Sequence, residues 1–183
     1  PRQDKPVNLS VKENGIIVSV SAPNDVLPND TELKVKLLSD VEKHEYVNKL
    51  EIDNRIELNQ SLAFDITLHN NRGEEIQPNG EVIVGFSGIE FSQTEEKIAV
   101  YHVENSAKNS IQNYSFSKKF IGKHDLQKRT FTKSARINQE PIQFQTSHFS
   151  VYLIGTVATA AYNFYADGEL VETQIVLNGE TIF

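Results

Sequence analysis

QFQTSHFSVYLIG, residues 143–155, is the longest run in this chain with the composition of a buried strand. Phe144 stands on one side of a short polar break; Phe149, Val151 and Leu153 stand on the other. Aromatic and β-branched side chains dominate it, as a pleated, half-buried surface requires. Inside it, His148-Phe149-Ser150 places a serine hydroxyl directly after a bulky aromatic residue, with an imidazole one residue further back. This is the sharpest chemical signal in the sequence.

Upstream of this run the chain reads as a series of short strands. Residues 16–21 alternate apolar and polar side chains, and Glu13-Asn14-Gly15 is hairpin-turn chemistry connecting them to 7–11. Residues 31–38, 62–69 and 82–86 repeat the period of two, separated by Pro-, Asn- and Gly-rich turns. In 97–104, Ala99, Tyr101 and Val103 lie opposite Ile98, Val100 and His102. One short helix is predicted within 40–52, capped by Asp40 and facing the core with Val41, Val47 and Leu50. Residues 105–139 predict two irregular strands around a loop near 122–128. Many short strands with one helix predict an all-β fold: an antiparallel β-sandwich over residues 1–157. Residues 158–183 carry an Asp167-Gly168 turn between apolar runs, which predicts a C-terminal β-hairpin appendage, either docked on the sandwich or the start of a following repeat.

Composition narrows the function classes. The 183 residues carry a net charge of −7 with no basic stripe, which argues against nucleic acid and anionic membrane surfaces as partners. No apolar run approaches the roughly 20 residues of a membrane-crossing helix. The chain has no cysteine, so disulfides and thiolate metal sites are excluded. The five histidines show no paired ligand spacing, and neither a phosphate loop nor a G-x-S-x-G elbow is present. Neither a metal nor a cofactor is therefore expected. A chain beginning at Pro1 reads as a piece of a larger protein.

With these residues placed, the chain resembles a β-rich module of Gram-positive cell-wall-anchored surface proteins. The matching pieces are VSAPNDVLPNDTELKVK, AFDITLHNNRGEEIQPNGEVIV, AVYHVEN and IQFQTSHFSVYLIG, in that order. The tail AYNFYADGELVETQIVLNGETIF is similar to the opening of the small β-grasp-like repeats of the same proteins. The resemblance implies an extracellular, adhesin-type module whose partners are neighbouring domains of its own protein and an unidentified host ligand.

His-Phe-Ser is also similar to the cleavage motif of self-cleaving domains: the function-to-find and UPA-type domains and the nucleoporin autoproteolytic domain. That resemblance implies a scissile Phe149–Ser150 bond, Ser150 as nucleophile and His148 as base. In a regular strand His148 and Ser150 would lie about 6–7 Å apart, beyond hydrogen-bond reach, so cleavage requires a bulge or kink within 146–150. His102, on its own strand, is an alternative base if that strand lies beside the last one. The competing reading has no chemistry: His148 and Ser150 are polar positions of a half-exposed strand, Phe149 is core, His102 is a satisfied core histidine, and the module is an inert stalk or a ligand-binding domain.

Overall fold

A computed structural model of the chain describes residues 5–54, 57–91, 97–105, 114–123, 141–157 and 159–177. Antiparallel strands form a sandwich. The first sheet runs in the order β1 (Val7–Glu13), β2 (Ile16–Ala22), β6 (Val82–Ser87), β9 (Ile142–Thr146). The second runs β3 (Glu32–Leu37), β4 (Leu58–His69), β10 (Val151–Val157), β7 (Lys97–Asn105), β8 (Tyr114–Lys123), with the short β5 (Glu75–Ile76) beside β4. Helix α1 (Asp40–Asn54) leads from β3 into β4. The antiparallel all-β sandwich with one helix that the alternation predicts is the architecture found. Of the two irregular strands expected within 105–139, β8 is one; the other, and most of the loop expected near 122–128, fall on residues 106–113 and 124–140, which lie outside the described residues.

The core between the sheets is set by period two. Val18, Val20, Val84, Phe86 and Phe144 come from the first sheet; Phe64, Ile66, Val100, Tyr152 and Ile154 come from the second. Each such buried side chain contributes about 1.5–3 kcal/mol. An aromatic row crosses this layer. Phe64 meets Phe86 at 5.2 Å between ring centroids, Phe86 meets Phe144 at 6.0 Å, Phe144 meets Tyr152 at 5.3 Å, and Tyr152 stacks on His102 at 4.7 Å.

A second apolar cluster explains why the last strand reads as continuous rather than alternating. Leu50 of α1 packs with Ala63, Ala99, Tyr101, Val103, Leu153 and Val157 on the other face of the second sheet. The central strands β4, β10 and β7 are thus covered on both sides, the situation that selects unbroken apolar runs. Gly155, the one gap in that run, is a point of close approach. A Cβ there would lie 2.8 Å from the Gln60 carbonyl of β4 and 3.0 Å from the Leu58 side chain.

The helix differs from expectation at its start. Ser39, not Asp40, is the cap: its hydroxyl accepts from the Glu42 N–H at 3.3 Å, and its own N–H donates back to the Glu42 carboxylate at 2.9 Å. Ser-x-x-Glu forms a reciprocal capping box, which starts the helix one residue earlier and turns Val41 to solvent, 83% exposed. The buried face is then carried by Leu50, with Tyr46 and Val47 beside it. The Lys36 ammonium, followed by the Ser39 N–H and hydroxyl, lowers the Glu42 carboxyl to about 2. A depressed carboxyl stabilises the fold above its ordinary value of 4.5 and loses that contribution as pH falls toward about 2. A carboxyl-detected titration by nuclear magnetic resonance is expected to show Glu42 still ionised at pH 3; a midpoint near 4.5 would remove the capping box from solution.

The tail forms a sheet of its own. Among the described residues β11 (Thr159–Ala166) pairs only with β12 (Glu169–Leu177), through a turn in which Asp167 and Gly168 take φ of 52° and 85°. Phe164, Tyr165, Leu170 and Val171 are exposed on it. A two-stranded ribbon is marginal by itself. Its amides are expected to exchange with solvent far faster than those of Val82, Val84 and Phe86; equal protection would show the hairpin to be integral to the sandwich. No helix among the described residues is long and apolar enough to cross a membrane.

Candidate functional site: the crossover between the sheets

The chain leaves the first sheet at Thr146 and enters the second at Val151. Residues 147–150 are therefore the crossover of the sandwich. His148-Phe149-Ser150 lies in this break and not inside a strand. The break falls within 146–150, yet it does not bring His148 to Ser150.

Ser150 is oriented by β7. Antiparallel register sets Tyr152 of β10 directly opposite His102 of β7. Ser150, two residues before Tyr152, projects to the same side and brings its Oγ to 2.8 Å from His102 Nε2. Its hydroxyl also lies 2.8 Å from the Val103 carbonyl, to which it donates. His102 is 5% exposed, at the end of the aromatic row, and its Nδ1 lies 3.8 Å from Glu104 Oε1. The two candidate bases thus have different surroundings. His102 reaches the serine oxygen, whereas the exposed His148 turns its Nδ1 to the Ser147 hydroxyl at 3.0 Å.

One proton serves two acceptors. A carbonyl can only accept, so while the Ser150 hydroxyl donates to Val103, His102 Nε2 must donate to Ser150 Oγ. Rotation about the Cβ–Oγ bond turns the hydroxyl onto Nε2 when that nitrogen is unprotonated. The first arrangement locks the strand; the second is the arrangement of a serine facing its base.

The crossover backbone is held at His148, Phe149 and Ser150. The His148 carbonyl accepts from the Tyr152 hydroxyl and, at 3.0 Å, from the Thr146 hydroxyl. Burial raises the Tyr152 phenol above its ordinary range, so it stays a donor across physiological pH. The Ser150 carbonyl accepts from the Ile66 N–H of β4 at 3.0 Å. Phe149, its ring buried in the core, has both backbone groups engaged by one side chain: its N–H donates to Gln77 Oε1 at 2.7 Å, and its carbonyl accepts from Gln77 Nε2 at 3.1 Å. None of the non-glycine residues with positive φ (Asn14, Asp25 and Asp167) falls here.

Gln77 is the site residue that sequence reading missed. It lies 72 positions from Phe149, directly after β5, and no motif marks it. The other histidines stand apart: His69 bridges Thr67 and the Gly73 carbonyl, His44 meets Asn48, and His124 is outside the described residues. Among the described residues no three His, Asp or Glu side chains converge as a metal site would need. Searches against family models, curated proteins and solved structures find no match for this chain.

Proposed function

We propose that this chain is an extracellular β-sandwich module of a bacterial surface protein, and that it cleaves itself once, between Phe149 and Ser150. The observation that carries the chemistry is the 2.8 Å contact between His102 Nε2 and Ser150 Oγ. It meets the first requirement of a nucleophile–base pair, hydrogen-bond reach. The surface-protein context comes from the ordered resemblance over most of residues 15–156.

The reaction balances with water alone. Ser150 Oγ attacks the Phe149 carbonyl carbon as its proton passes to His102 Nε2. The tetrahedral adduct collapses by breaking the Phe149–Ser150 C–N bond, and His102 returns the proton to the departing Ser150 nitrogen. The product is an ester from Phe149 to Ser150 Oγ. Water hydrolyses it to a Phe149 carboxylate and a Ser150 that carries both a free amine and its hydroxyl. Completion within hours needs a barrier of about 23 kcal/mol or less. A positioned base lowers the barrier by about 3–5 kcal/mol, equivalent to 10²–10⁴ in rate.

A second reading has an observation of its own. The Ser150 hydroxyl points to the Val103 carbonyl, and no positive-φ residue in the crossover stores strain against the scissile bond. In that reading the same contacts fasten one sheet to the other, and the module is a stalk or ligand-binding domain without chemistry. Intact mass decides between them. Self-cleavage gives fragments 1–149 and 150–183 under denaturing conditions; a single 20.7 kDa species after days at neutral pH favours the stalk.

A further inference from the structure

The geometry points to Gln77 as the residue that stabilises the oxyanion in this cleavage, its side-chain amide donating to the Phe149 carbonyl oxygen as that oxygen takes up negative charge. The inference rests on the self-cleavage reading and adds to it a group that His-Phe-Ser does not contain.

Three observations carry it. The first is the contact itself: Gln77 Nε2 lies 3.1 Å from the oxygen of the one carbonyl that Ser150 would attack. The second is the orientation of the amide. A side-chain oxygen and nitrogen are distinguished by their partners. Phe149 N–H can only donate, so the end of the amide 2.7 Å from it must be Oε1. Nε2, a donor, is then fixed on the carbonyl. The paired bonds aim the donor before reaction begins, which makes such a group worth more than an equivalent water.

The third is how the fold holds Gln77 in place. β5 pairs with β4 through Ile76 opposite Leu68, and β10 takes over the same flank of β4 at Val151 opposite Asp65. Gln77 and Phe149 both lie at the seam where one neighbour of β4 gives way to the other. The side-chain amide bridges the gap that a ladder pair would otherwise fill. Pro78, which follows, disfavours the helical region for Gln77 and keeps it extended toward the seam.

Only the part of a contact that strengthens in the transition state accelerates a reaction. The ground-state bond at 3.1 Å has room to shorten as charge grows on the oxygen. The bond to Phe149 N–H has no such gain, since that nitrogen does not react. The two ends of one amide thus divide into a catalytic donor and a positioning acceptor, and a substitution can separate them.

Gln77→Glu keeps an acceptor for Phe149 N–H and replaces the donor by a carboxylate oxygen that repels the oxyanion. Gln77→Ala removes both contacts. Cleavage is followed by intact mass during a cell-free synthesis time course, with thermal unfolding of each variant made in the uncleavable Ser150→Ala background as the control for folding. Gln77→Glu is expected to slow cleavage about 10–100-fold, below the 10²–10³-fold of a fully enclosed donor because Gln77 is open to solvent on its outer side. Gln77→Ala is expected to slow it comparably while also lowering the unfolding temperature. Native chain that cleaves while a folded Gln77→Glu variant keeps pace overturns the oxyanion assignment alone. Native chain that never cleaves overturns this assignment and the self-cleavage reading together.

Discussion

Ser150→Ala is expected to leave a single chain under conditions in which the native protein separates into 1–149 and 150–183. Without Oγ, residue 150 has no oxygen to take the acyl group, so the loss is expected to be complete. Ser150→Thr keeps the hydroxyl on a stiffer, bulkier side chain and is expected to retain reduced cleavage. The histidines then separate. His102→Ala removes the imidazole at 2.8 Å from Ser150 Oγ and is expected to slow cleavage by about 10²–10⁴-fold. His148→Ala removes an exposed ring whose contact is with Ser147, and its effect is expected to stay within a few-fold. Equal and large effects of both would return His148 to the role of base that its adjacency to Phe149 suggests. Cleavage unaffected by either would leave the reaction without a base from this fold. His102→Gln, which can still hydrogen-bond Ser150, separates loss of a base from loss of packing beneath Tyr152.

The sandwich was legible because its information is local. Alternation in 16–21 and 62–69, and the Asn-Gly and Asp-Gly turns, each specify structure within a few residues, and β1–β2 and β11–β12 form around those turns. The helix was legible in kind but not at its cap. Asp40 is a good capping residue by type, yet Ser39 has Glu42 three positions on, and a reciprocal pair outcompetes a lone acceptor. The candidate site was legible only in its nucleophile. His148 stands beside Phe149 in sequence, but the crossover turns its ring outward. His102 reaches Ser150 from 48 positions away because strand register sets residue 102 opposite residue 152, and register is decided by the packing of both faces of β7. Gln77 was harder still, since neither its residue type nor its neighbours distinguish it from an ordinary loop glutamine.

Ser150→Ala is also expected to change stability with a sign that depends on whether the native chain is cut. Removing the hydroxyl leaves His102 Nε2 and the Val103 carbonyl without that partner, a cost of about 1–3 kcal/mol. If the native chain is cleaved, its C-terminal piece is held without a covalent link, chiefly by the ladders of β10 to β4 and β7 and by the buried Tyr152, Leu153 and Ile154. Those contacts keep the particle together in native buffer, but unfolding releases two chains that must meet again. A covalent link supplies an effective concentration of order millimolar. At micromolar protein the cut therefore forfeits about a thousandfold, or about 4 kcal/mol. The uncut Ser150→Ala variant should then be more stable than native protein by about 1–3 kcal/mol in urea. The native midpoint alone should rise with protein concentration, since mass action enters only where two chains reassociate. In an uncut native chain the sign reverses: Ser150→Ala is the less stable of the two, and neither midpoint moves across a hundredfold dilution. That second pattern would end the self-cleavage reading and leave the His102–Ser150 contact as a fastening between the crossover and β7.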